Sequence, residues 1–191
     1  MAFEIRHIVR ADPDWESVKR GVSNGRLLKS LCQGQVASDP IRRYYLEDAD
    51  GLLIAEIRTK RRSKVVGLLI YEVSDEYEPG KLMYIHVVCS RMRGVGVALL
   101  AEARRVAAGL SLRWARVTAL DHVINYYRRL GFRSTNHPQC KEQRAITRAA
   151  SKIQHLRFNS SDEARADPRL QAARNTALRL HQNLYEMLLC L

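Results

Sequence analysis

Two glycines and two arginines stand close together in the segment Ser90-Arg91-Met92-Arg93-Gly94-Val95-Gly96-Val97-Ala98. Glycine lets an anion approach the backbone, and the first amides of a helix point at it with the positive end of the helix dipole. Arg91 and Arg93 add fixed positive charge. If a helix begins here, the segment can hold a diphosphate. It is not a dinucleotide fingerprint, because Leu99 occupies the place of the third small residue, and the Gly-Lys-Ser/Thr of a nucleoside triphosphate loop is absent.

The elements that must position this segment follow from the spacing of apolar residues. Strand patterns cover residues 3–9, 52–59, 64–74, 81–88 and 114–119, and helical patterns cover 13–20, 26–33, 94–110 and 121–130. The glycines therefore lie between the fourth strand and the helix that follows it. A strand, a helix and a second strand in one sheet form a crossover with parallel strands. We predict an α/β fold with a mixed sheet, in which strands one to four are antiparallel and strands four and five are parallel.

The C-terminal region carries an apolar stripe with steps of three and four residues. The stripe consists of Leu170, Ala173, Ala177, Leu180, Leu184, Met187 and Leu191. It predicts an amphipathic helical extension over 160–191, appended to a main domain over 1–159. The helix could pack on its own sheet or on a second copy of the chain, giving a homodimer, and the sequence leaves both open.

The composition indicates one folded domain with a strongly positive surface. The 191 residues are 46% hydrophobic, and 32 Lys and Arg against 20 Asp and Glu give a formal charge of +12. A phosphorylated cofactor, an acidic protein face or, more weakly, nucleic acid would be drawn by this charge. The apolar runs are too short to cross a membrane, and no secretory signal is recognisable. We therefore expect no membrane association and an intracellular location, in the cytoplasm or alternatively in the nucleus.

The cysteines and histidines indicate no metal site. Four cysteines are widely spread without a Cys-x-x-Cys pair, and six histidines lack the spacing that places two ligands on one helix face. We predict reduced thiols and no bound metal.

Two motifs in the expected order resemble the GNAT acyl-CoA N-acyltransferase superfamily. Arg91, Gly94 and Gly96 match its Arg/Gln-x-x-Gly-x-Gly/Ala loop, and residues 127–132 match its Tyr-x-x-x-Gly-Phe signature. The resemblance covers roughly residues 3–132. It implies an N-acetyltransferase that moves an acetyl group from acetyl-CoA to a primary amine of a protein, a peptide or a small molecule, by direct transfer in a ternary complex.

The resemblance also implies roles for individual residues. The backbone at the end of the fourth strand would pair with pantetheine, where strands four and five splay apart, and the glycine segment would hold the diphosphate. The implied cofactor-binding residues are Val87, Val88, Cys89, Arg91, Arg93, Gly94, Val95, Gly96, Val97 and Ala98. A backbone N–H near Val88 would polarise the thioester carbonyl, and Tyr127 would protonate the departing thiolate.

A general base and two alternatives complete the expectations. Alternation along the fourth strand puts His86 and Tyr84 on one face, and His86 is the preferred base because imidazoles exchange protons near neutral pH. Glu72 lies near the entrance to this strand, where an amine could approach.

Cys89 could instead carry the acetyl group in a two-step reaction. A catalytically silent basic module that binds coenzyme A or nucleic acid is the alternative function.

Overall fold

The computed structural model describes residues 2–33, 41–59, 62–74, 81–134 and 184–190. These residues form seven strands, four α-helices and two shorter helical segments. The strands are β1 (Glu4–Val9), β2 (Gly51–Arg58), β3 (Ser63–Ser74), β4 (Leu82–Ser90), β5 (Trp114–Leu120), β6 (Arg133–Ser134) and β7 (Leu184–Cys190). The helices are α1 (Trp15–Val22), α2 (Gly25–Leu31), a π-helix (Ile41–Tyr45), α3 (Val95–Gly109), a 3-10 turn (Asp121–Val123) and α4 (Ile124–Arg129).

The chain divides into two compact units, and the first unit comprises Met1–Glu72 with Ile85–Gly109. Its strands lie in the order β1-β2-β3-β4. β1 pairs antiparallel with β2, and β2 pairs antiparallel with β3 from Gly51 opposite Tyr71 to Arg58 opposite Ser63. The long strands form because their residues are β-branched or apolar, as a sheet covered on both faces requires.

Two layers of helices cover the sheet of this first unit. One core contains residues of α1, α2, the π-helix and the strands, all nearly inaccessible to solvent: Trp15, Leu28, Leu31, Ile41, Leu46, Leu52, Ile54, Leu68, Ile70 and Val87. Alternate residues of a strand point to opposite faces, so Gly67 points away from this core. A Cβ on Gly67 would lie 2.4 Å from Cγ1 of Val95 and 3.0 Å from Cδ1 of Leu99. The first two turns of α3 therefore pack directly on the backbone of β3.

The second unit comprises Val73–Tyr84 with Leu110–Leu191. Its strands lie in the order β4-β5-β7-β6. β4 and β5 are parallel, whereas β7 is antiparallel to β5, from Trp114 opposite Cys190 to Leu120 opposite Leu184. The short strand β6 pairs antiparallel with the other edge of β7. The predicted mixed α/β fold is thus confirmed.

The predicted C-terminal helix is wrong over Leu184–Cys190, which form β7, and its earlier part lies outside the described residues. Met187, Leu188 and Leu189 are consecutive and all buried. A helix with one apolar stripe would expose at least one of three consecutive residues, whereas a strand buries all three where both faces of its sheet are covered. A short apolar run fits both the 3.6-residue period of a helix and the two-residue period of a strand, so its spacing alone does not distinguish the two. The predicted boundary at residue 159 and the possible strand over 153–159 also lie outside the described residues.

The prediction that all cysteines are reduced is wrong for Cys32 and Cys89, which form a disulfide. The two residues are 57 positions apart in sequence, and their Cα atoms are 4.8 Å apart. Only the packing of α2 against β4 brings them together, so no local spacing could indicate the pair. Among the described residues, no helix is long and apolar enough to span a membrane.

Candidate active site

The glycine segment forms a tight turn between β4 and α3. Gly94 has a φ of +85°, which a residue with a side chain rarely adopts. A Cβ at this position would meet no atom within 4 Å, so glycine is required here by backbone conformation and not by crowding. Val95 N donates to Met92 O at 3.3 Å within the turn, and Arg91 N joins the start of the turn to β3 by donating to Val66 O at 3.1 Å.

The turn presents backbone donors at the start of α3. The first hydrogen bond of the helical pattern runs from Ala98 N to Gly94 O at 3.0 Å. The N–H groups of Gly96 and Val97 therefore precede the first residue that can donate within the helix. Gly94 is exposed and Val97 is 44% exposed, whereas Val95 and Gly96 are buried, so solvent reaches this end of α3 on one side only. First-turn amides and a helix dipole on a partly exposed turn are suited to an anion such as a diphosphate.

The two arginines of the turn differ in their contacts. Arg91 Nη1 donates to Ser30 Oγ on α2 at 2.7 Å, and Nη2 donates to Val65 O at 3.5 Å. Arg93 is exposed. Arg91 thus fastens the turn to α2 and β3. Its predicted contact with the diphosphate remains a prediction, as does that of Arg93.

The residues that precede the turn on β4 alternate in burial. Val87 and Cys89 are buried in the core with α1 and α2, whereas Val88 between them is partly exposed. Their predicted backbone contacts with pantetheine remain predictions. The two-step mechanism through Cys89 is contradicted, because its sulfur is bonded to Cys32 and an acyl carrier needs a free thiolate.

His86 belongs to a cluster with Glu72 and Tyr45 in the first unit. His86 Nε2 lies 2.7 Å from Glu72 Oε2. The ring of Tyr45 stacks on the imidazole with 5.1 Å between centroids and 15° between planes. The His86 side chain is only 4% exposed and that of Glu72 is 21% exposed. The carboxylate is therefore the part of the cluster nearer to solvent, and the imidazole lies behind it.

The other predicted base, Tyr84, has different partners in the second unit. Its hydroxyl lies 2.8 Å from Thr118 Oγ1, and the guanidinium carbon of the buried Arg116 lies 5.4 Å from the centroid of its ring. A cation over the ring and a hydroxyl partner hold the phenol in place. Tyr84 therefore has the contacts of a positioned structural residue, and His86 remains the preferred base.

Tyr127 lies on α4 and is 7% exposed. Its ring packs edge to face on Phe132 and on Tyr126, with centroids 5.4 and 5.3 Å apart. Burial raises the pKa of Tyr127 far above its ordinary value of 10.0, so the phenol keeps its proton at neutral pH. Gly131, with a φ of +94°, ends the helix and turns the chain so that Phe132 returns to Tyr127. The Tyr-x-x-x-Gly-Phe motif is thus a local packing unit around the predicted acid.

Sequence reasoning missed three residues of this region: Ser30, Cys32 and Tyr45. Ser30 and Cys32 reach β4 only because α2 packs on it, and Tyr45 reaches His86 from the π-helix. None has a spacing relative to the turn that could have revealed it. Within the described ranges, no group of three His, Cys, Asp or Glu side chains could hold a metal ion.

Comparison with known proteins connects this geometry to one fold. No protein-family model and no curated protein matches the sequence. A GNAT family acetyltransferase from Elizabethkingia anophelis with acetyl-CoA bound gives a TM-score of 0.54 at 12% identity, covering 99% of this chain and 98% of that one. IAA acetyltransferase from Bacillus cereus gives 0.53 at 13% identity and covers 100% of both chains.

A third solved structure, Rv2747 from Mycobacterium tuberculosis in complex with CoA and NLQ, gives a TM-score of 0.51. Its identity is 19%, and the match covers 98% of this chain and 99% of that one. These likenesses show that the chain has the same fold as these three structures, which is the fold that the motifs implied.

Proposed function

We propose that the protein is an N-acetyltransferase that moves an acetyl group from acetyl-CoA to a primary amine. The observation that carries the proposal is the turn at the start of α3, where the left-handed Gly94 precedes the first-turn amides of Gly96 and Val97, and where Gly94 and Val97 are exposed. In a GNAT fold, this turn is suited to a diphosphate. Acetyl-CoA, when bound, supplies an activated thioester.

The residues of β4 and the turn would hold and orient the donor. The backbone of Val95, Gly96, Val97 and Ala98, with the charges of Arg91 and Arg93, would bind the diphosphate. The backbone of Val87–Cys89 would hold pantetheine as an added strand, and the N–H near Val88 would stabilise negative charge on the carbonyl oxygen.

The Glu72–His86 pair is the proposed proton acceptor for the attacking amine. His86 Nε2 and Glu72 Oε2 lie 2.7 Å apart, so the imidazole and the carboxylate share a hydrogen bond and can hold an added proton between them. Stacking on Tyr45 holds the imidazole plane. Because Glu72 is the more exposed member, an incoming ammonium meets a negative charge first and can pass its proton to the pair.

Tyr127 is the proposed proton donor to the departing thiolate. The role is proposed from its place in the Tyr-x-x-x-Gly-Phe motif; burial raises the pKa of the phenol, which keeps it protonated and also makes it a weaker acid. A neutral tyrosine provides a proton and a hydrogen bond without placing a charge among Tyr126 and Phe132.

The acceptor is proposed to be a primary amine, either on a protein or peptide with an acidic surface or on a small molecule. The formal charge of +12 repels free polycations at long range, which favours an amine carried by an acidic partner.

The test is release of free thiol from acetyl-CoA in the presence of a panel of amines. We expect amine-dependent release, and Glu72→Gln and His86→Ala should each reduce it about 100-fold or more and change the pH–rate profile. Tyr84→Phe is the matched control and should have a much smaller effect. Binding of acetyl-CoA without release by any amine would instead support a silent binding module.

A further inference from the structure

We propose that the Cys32–Cys89 disulfide and the Arg91–Ser30 hydrogen bond form a clamp that positions the cofactor turn, and that opening the disulfide weakens cofactor binding. The clamp is defined by these four residues. It rests on the proposed function, because its effect is on coenzyme A, but the experiment below separates the two.

The disulfide joins the end of α2 to the end of β4. Cys32 caps α2, its N–H donating to Leu28 O at 2.9 Å, so its position is fixed by the helix. Cys89 is the last residue but one of β4 and lies five positions before Gly94. Both cysteines are 5% exposed and belong to the same buried cluster. The covalent bond therefore ties the strand to a packed helix directly before the turn.

The second tie of the clamp is two residues further along. Arg91 Nη1 donates to Ser30 Oγ at 2.7 Å, and Arg91 N donates to Val66 O at 3.1 Å. Ser30 lies on the last turn of α2 and Cys32 is its C-cap, so both links of the clamp reach the same end of this helix. Residues 89–91 are held on α2 and β3, and the turn that follows starts from a fixed point.

Holding residues 89–91 in place should increase the affinity for the cofactor, because the turn that follows them does not have to be ordered when the cofactor binds. The side chain of Arg91 is exposed, and an exposed hydrogen bond alone stabilises only weakly. Without the disulfide, the end of β4 can move and the amides of Gly96 and Val97 lose their common orientation.

Because both cysteines are only 5% exposed, a dithiol reductant would open the disulfide through local opening of the packing around it. The reductant gives two electrons and two protons to the sulfurs of Cys32 and Cys89, which become two thiols, and is itself oxidised to a disulfide. Cofactor affinity would then follow the thiol–disulfide state of the protein.

The experiment is calorimetric titration of the full chain with desulfo-CoA, which keeps the diphosphate but has no thiol to exchange. The ligand is titrated into oxidised protein, into protein reduced with dithiothreitol, and into protein oxidised again. Alkylation and mass spectrometry must show two more free thiols after reduction. We expect the Kd to rise about tenfold on reduction and to recover on oxidation.

Two variants provide the controls. Cys32→Ser/Cys89→Ser should bind weakly with or without dithiothreitol, and since it keeps Cys140 and Cys190, it detects any effect of the reductant through them. Ser30→Ala should weaken binding by the oxidised protein, whereas Ser23→Ala, whose hydroxyl bonds Arg20 O at 2.9 Å on α1, should not. The reduced wild-type protein tests the clamp even if the double variant does not fold.

The outcomes distinguish the clamp from the proposed function. An equal Kd for oxidised and reduced wild-type protein, or an absence of additional thiols after reduction, would overturn the clamp while leaving acetyl transfer intact. No binding of desulfo-CoA in any state would overturn the proposed function itself.

Discussion

Gly67 provides a test of whether the position of α3 sets cofactor binding. A Cβ at residue 67 would lie 2.4 Å from Val95 Cγ1 and 3.0 Å from Leu99 Cδ1, whereas carbon atoms pack at about 3.5–4.0 Å. Val95 would have to retreat by roughly 1 Å. It cannot do so by rotation, because it is fully buried and valine is stiff in a helix. The start of α3 must therefore move, and the turn with it.

We expect Gly67→Ala to lower the free energy of unfolding by about 1–3 kcal/mol, the usual cost of overpacking a core. A displacement of this size at a binding site should also raise the KM for acetyl-CoA about tenfold or more. Urea denaturation measures the first effect, and steady-state thiol release measures the second.

A second variant separates displacement of α3 from general damage. Val95→Ala removes the clashing Cγ1, so the unfolding cost of Gly67→Ala/Val95→Ala should be smaller than the sum of the single costs by about 1 kcal/mol. The KM of the double variant should also recover toward that of Val95→Ala. Strict additivity, or a Gly67→Ala protein with unchanged stability and KM, would refute this reasoning.

Three further predictions concern the turn, the proton donor and the half-buried His7. Gly94→Ala should destabilise the protein by about 1–2 kcal/mol through its left-handed φ and raise the KM for acetyl-CoA, whereas Gly109→Ala, in open space at the end of α3, should leave the KM unchanged. Tyr127→Phe should reduce kcat by about 100-fold or more, and much more than Tyr126→Phe; equal effects would contradict the assignment. Burial lowers the pKa of His7 below 6.5, so its contribution to stability is complete above that pH and is lost as pH falls through the lowered value. Urea midpoints between pH 8 and 5 should therefore fall less steeply for His7→Gln than for the wild type, and parallel curves would contradict this.

The part of the fold around the turn could be predicted because its signals are local. Gly94 stands where a strand becomes a helix, and its positive φ is the property that makes glycine necessary. Gly131 and Phe132 likewise reveal a helix end that returns the chain to Tyr127. These features depend on a few neighbouring residues, so the sequence displays them directly.

The remaining features depend on packing between distant segments. The apolar run of β7 fits the period of a helix as well as that of a strand, and its strand character comes from pairing with β5 and β6 on both sides. The disulfide joins positions 57 residues apart, and Tyr45 meets His86 only through the fold. The alternation along β4 identifies His86 as a candidate base. The sequence places Glu72 only near the start of β4, and its contact with His86 is known from the fold.

A crystal structure of the protein grown with acetyl-CoA tests the central claim most directly. The account predicts the diphosphate at the start of α3, with its oxygens about 3 Å from the amide nitrogens of Gly96 and Val97. Ordered acetyl-CoA bound elsewhere, with that turn empty, would contradict it.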